Sequence, residues 1–70
     1  MQDTFSWLDV ERIAEELVDH HPDIDPLVIG FPDLMETVRK LDGFEEVPGH
    51  PCNERILEAI QQAWIEELEE

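Results

Sequence analysis

The chain has 70 residues and carries nineteen Asp and Glu against four Lys and Arg, a formal net charge of −15. One cysteine permits no internal disulfide, so a single small core must supply the whole net stability, roughly 3 to 5 kcal/mol at this size. Binding to phosphate backbones or anionic membranes needs clustered cations, so this composition excludes nucleic acid and membrane surfaces and points to a basic protein surface or metal cations as partners. The hydrophobic fraction of 41%, with two Trp and three Phe, is that of a folded domain rather than a disordered chain.

The N-terminal stretch 1–5 lacks a basic region and an apolar run, so it does not read as a leader, and no stretch approaches the length of a membrane span. With one cysteine, Cys52, the expected compartment is the reducing cytoplasm.

Three helices are expected. The first spans 6–20. Val10, Ile13, Ala14, Leu17 and Val18 recur at helical spacing, with Trp7 one turn earlier. Ser6 is the candidate N-cap with Asp9 three residues on, and Pro22 ends the helix because the residue before a proline is driven out of the α region. Pro22-Asp23-Ile24-Asp25-Pro26 then forms a rigid acidic connector between two fixed φ angles. The apolar run Leu27-Val28-Ile29 reads as irregular.

The second helix spans 32–41. Pro32 suits a first helical position and Asp33 the positive end of the helix dipole. Leu34, Val38 and Leu41 form its buried stripe, Phe31 staples the entry, and Arg39 and Lys40 suit its last turn. Gly43 is placed for a left-handed cap, with Phe44 supplying the apolar contact. Residues 44–52 read as a loop. The third helix, capped near Asn53, presents Ile56, Leu57, Ile60, Ala63, Trp64 and Leu68. The acids at 66–70 oppose the dipole there, so the last turn is expected to fray.

No catalytic set emerges. Carboxylate pairs are too numerous to mark a site, no glycine-rich phosphate loop is present, and a chain of this length has little room for a cleft. The reading is a binding protein, not an enzyme. Glu11, Glu15 and Asp19 stack along one ridge of the first helix, where like charges four apart oppose the helix by about 0.2 to 0.5 kcal/mol per pair. That ridge is either a docking or cation-binding face or a solvated surface. The acids Asp23, Asp25, Asp33, Glu45 and Glu46 either serve turns and helix starts or offer oxygen ligands to divalent cations, without the ligand order of an EF-hand. His20 and His21 face different directions, and His50-Pro51-Cys52 is too lean for zinc. Cys52 has no positive neighbour to activate it.

Several segments together resemble one family: Trp7-Leu8-Asp9, Ile13-Ala14-Glu15, the stretch from Asp19 to Pro26, Phe31-Pro32-Asp33-Leu34, Leu41-Asp42-Gly43-Phe44-Glu45-Glu46, and Asn53-Glu54-Arg55-Ile56-Leu57-Glu58-Ala59-Ile60-Gln61-Gln62-Ala63-Trp64. They are similar, in order and over nearly the whole chain, to the IscX family, small acidic accessory proteins of bacterial iron–sulfur cluster assembly. The resemblance implies a single all-α domain over residues 1–70, three helices in a winged-helix-like arrangement. It implies docking on a basic patch of the pathway's cysteine desulfurase, in competition with frataxin and ferredoxin, and modulation of sulfur delivery. It also implies weak binding of Fe2+ or Fe3+ by surface carboxylates, with no tightly held cofactor.

On that basis the docking acids are Asp19, Asp23, Asp25, Asp33, Glu45 and Glu46, and the cation candidates are Glu11, Glu15 and Asp19. Two departures from the family thin the cation site: the acidic run after Phe44 is short, and Gly43 stands where an acid is usual. The loop before Asn53 is one residue longer, and His20 and His21 replace residues that are more often non-ionisable. The competing classes are an iron carrier and an acidic mimic that blocks another basic partner.

Overall fold

The computed structural model describes residues 4–46, 49 and 53–69. It contains three helices, α1 (Val10–His20), α2 (Phe31–Arg39) and α3 (Glu54–Leu68). The described residues form no strand, and the one β pairing among them is an isolated parallel bridge between Phe5 and Phe44. The expected all-α, three-helix single domain is therefore present, while the wing implied by the resemblance has no counterpart among the described residues.

α1 begins four residues later than its periodicity suggests. The Asp9 N–H donates to the Ser6 carbonyl at 2.9 Å, closing a separate turn, and the Ser6 N–H donates to Asp9 Oδ2 at 2.9 Å. The reciprocal half of a capping box is thus made, but the chain passes through this turn before the helix starts at Val10. The turn carries Trp7 into the core, where it is fully buried. α2 begins at Phe31 with Gly30 as N-cap and Pro32 in its first turn, and it ends at Arg39 rather than Leu41. Leu41 is nevertheless buried, held by its N–H to the Val38 carbonyl at 3.0 Å. α3 starts as expected: Asn53 Oδ1 accepts from the Ile56 N–H at 3.0 Å, satisfying one of the orphan donors of the first turn.

α1 packs chiefly on α3, and α2 rests more lightly against α3. The core comprises Phe5, Trp7, Ile13, Ala14, Leu17, Leu34, Val38, Leu41, Leu57, Ile60 and Trp64. Val10, Val18, Ile56 and Ala63, also read as inward-facing, are partly buried against it, whereas Leu68 is half exposed. The indole N–H groups of Trp7 and Trp64 are buried, with no acceptor among the described residues. Each such donor costs about 1 to 3 kcal/mol, which the apolar area of the two rings must offset.

Gly43, at φ 91°, adopts the left-handed conformation expected of it. Its role is broader than a helix cap, because α2 has already ended. The Gly43 carbonyl accepts from the Phe5 N–H at 3.0 Å, and the Glu45 N–H donates to the Phe5 carbonyl at 2.8 Å. This clasp brings Phe44 edge-on to Phe5 and Trp7, with ring centroids at 5.8 and 4.8 Å. The N-terminal segment is thereby tied to the end of the α2 region.

Candidate acidic docking surface

The connector 21–30 is a pinned turn. Asp25 Oδ1 accepts from the Leu27 N–H at 2.9 Å, and the Asp25 carbonyl accepts from Val28 and Ile29 at 3.0 and 3.2 Å. An Asp side chain bonding the backbone two residues on is the Asx turn, a local alternative to helix or strand. Pro26 is fully buried, and its carbonyl accepts from the side-chain amide of Gln61 on α3. Thus the two-proline connector is fixed to the body of the protein and its carboxylates face outward.

Asp19, Asp23, Asp25, Asp33, Glu45 and Glu46 are all exposed. Asp25 and Asp33 line one shallow groove together with Val28, Glu36 and Lys40. Glu45 lies elsewhere, in a polar groove formed with Arg12, Glu16, His20 and Asp42. Glu46 is paired with Arg39, Nε to Oε1 at 2.8 Å, so part of its charge is compensated locally. The candidate docking acids therefore occupy more than one surface, with the connector and the start of α2 forming the contiguous pair.

The cation candidates divide similarly. Glu11 and Glu15 line a groove between α1 and the end of α3, facing Glu66 and Glu67. Asp19 is exposed one turn further along α1. Among the described residues, no three His, Cys, Asp or Glu side chains are placed to hold a metal ion. His50 and Cys52 lie outside the described residues, as does the last acid of the C-terminal run, Glu70.

Sequence reasoning overlooked Glu36, which shares the groove with Asp33; the three-residue spacing on α2 is the signal that identifies it. It also gave His20 no role. Glu16 accepts from Arg12 Nε at 3.2 Å, and its other oxygen lies 3.2 Å from His20 Nε2, an ion pair whenever that imidazole is protonated. Glu66 and Glu67 were legible only as acids opposing the helix dipole, because nothing in the order of residues places them against α1.

Two of the four basic residues, Arg12 and Arg39, are thus engaged by the chain's own acids. The remaining negative charge is spread over exposed carboxylates, giving a field that steers cationic surfaces over distances near the Debye length, about 8 Å at physiological ionic strength.

Residues 5–69 match the family described as Iron-sulphur cluster assembly. The chain belongs to that family, the IscX family of the resemblance. An uncharacterized protein of Pseudomonas aeruginosa is 42% identical over 64 residues, spanning 91% of this chain and 96% of that protein. The two therefore correspond over nearly their full lengths. No helix among the described residues is long and apolar enough to cross a membrane.

Proposed function

We propose that this member of the iron–sulfur cluster assembly family is a non-enzymatic adaptor that docks, through its acidic surface, on a basic patch of the cysteine desulfurase and modulates sulfur delivery in the cytoplasm. The observation that carries the reading is the outward-facing set of Asp25, Asp33 and Glu36 on one groove of a chain with net charge −15. Carboxylates held on a pinned turn complement a Lys and Arg patch without further ordering of the backbone, and their field accelerates encounter. Competition with frataxin and ferredoxin follows if all three use that patch. Iron binding is a weak, secondary property of surface carboxylates, with Glu11, Glu15 and Asp19 as the candidates.

The test is titration calorimetry against the cognate desulfurase at low and high salt. Micromolar binding that fades as salt rises is expected, and no binding at low salt would sink the adaptor reading. Asp23→Lys combined with Asp33→Lys is expected to weaken binding tenfold or more, about 1.4 kcal/mol. These positions are preferable to Asp25→Lys, which also removes the acceptor for the Leu27 N–H. Asp25→Asn keeps an acceptor there and isolates the charge.

A further inference from the structure

Leu27 and Val28 are 73% and 78% exposed, the most exposed large hydrophobic residues among those described. Single exposed aliphatic residues are ordinary on protein surfaces, but two in succession at the tip of a turn are not required by that turn, which polar residues fill more readily. Their backbone is held by the Asp25 carboxylate and carbonyl, and the preceding Pro26 is buried and bonded to Gln61. The two side chains are therefore presented on a preorganised support, so little conformational freedom of the backbone is lost when they are covered.

Charge identifies what covers them. Val28 shares its groove with three carboxylates, Asp25, Asp33 and Glu36, against one cation, Lys40. A second copy of this chain would bring those carboxylates against their own images, a repulsion that opposes association. A surface with an apolar depression flanked by Lys and Arg fits both features: exposed carboxylates and, beside them, exposed aliphatic side chains. This matches the arrangement of specific interfaces, in which a buried apolar anchor supplies affinity and rim charges supply rate and orientation.

We propose that Leu27 and Val28 form an apolar anchor that inserts into such a depression on the cysteine desulfurase. The inference rests on the docking reading above and adds a component that charge alone does not provide. Electrostatic docking is screened by salt, whereas burial of aliphatic surface is not.

The experiment is calorimetry of the wild type and of the Leu27→Ser, Val28→Ser double variant with the cognate desulfurase, across a salt series and at several temperatures. Both side chains are exposed and the turn is held by backbone groups, so the variant is expected to fold, as circular dichroism will verify. The expected result is an affinity lower by about tenfold at every salt concentration, with the same salt slope and a less negative heat-capacity change.

Salt-sensitive wild-type binding that the double variant leaves unchanged overturns the anchor while docking stands. Absence of wild-type binding overturns both. A wild-type dimer in sedimentation that the double variant loses also overturns the proposal, because a second copy would then be what covers the pair.

Discussion

The α1–α3 interface and the connector with α2 solve different problems in one small chain. On the first, Ile13, Ala14 and Leu17 of α1 and Leu57, Ile60 and Trp64 of α3 are all but inaccessible to solvent, and they supply most of the helical core. On the second, only Pro26, Leu34 and Val38 are deeply buried, while Leu27, Val28, Asp23, Asp25 and Asp33 face outward. The lesson is a difference in construction: a few anchors suffice to hold the second region, which leaves its remaining positions exposed to solvent. Its shape is maintained by hydrogen bonds within a turn rather than by burial of area.

That contrast breaks most visibly at Trp64. Trp64→Ala is expected to cost about 3 to 5 kcal/mol through lost burial and the cavity left behind. This is comparable to the entire net stability of a domain this size, roughly 3 to 5 kcal/mol, so the variant is expected to lose its cooperative thermal transition. The charge reversals at the exposed Asp23 and Asp33, by contrast, are expected to leave stability within about 0.5 kcal/mol while reducing desulfurase binding. A large loss of stability there would erase the distinction between the two regions.

A smaller effect is expected at the start of α3. Asn53→Ala removes the acceptor for the Ile56 N–H and is expected to lower stability by about 1 kcal/mol in a urea titration, with partner binding unchanged. The smallest expected effect comes from salt and has opposite signs for folding and for docking. Screening the −15 surface stabilises the free chain by about 0.5 kcal/mol, a rise in Tm of ~3 °C, as the same salt weakens docking. A Tm that falls with salt would mean that attractive ion pairs such as Arg12–Glu16 and Arg39–Glu46 outweigh the net repulsion.

Helical periodicity made the body of the molecule legible. Val10, Ile13, Ala14, Leu17 and Val18 predicted α1, and the third helix was correct in its cap and, apart from the exposed Leu68, in its inward stripe. The ends were less legible, since periodicity reports which residues face the core but not whether the chain between them is helical. Trp7 and Leu41 both fall on the expected stripes, yet both reach the core from turns outside α1 and α2. The acidic connector was also readable, because Pro and Asp restrict the backbone locally. What it presents was not, because the Gln61 side-chain amide that holds the Pro26 carbonyl comes from thirty-five residues along the chain.

Net charge, three amphipathic segments, the Asn53 cap and the left-handed Gly43 were determined by the sequence itself, since each rests on residue type or on neighbours within a few positions. The tertiary structure alone decided which acids from different segments of the chain lie together. It set Asp25 beside Asp33 and Glu36, placed Glu45 in a different groove, and brought Glu66 and Glu67 to face Glu11 and Glu15. It also joined Phe5 to Phe44 by backbone hydrogen bonds that no local pattern announces. The physical reason is common to all of these: spacing along a helix sets a direction around one axis, and only the packing of one axis on another sets what that direction meets.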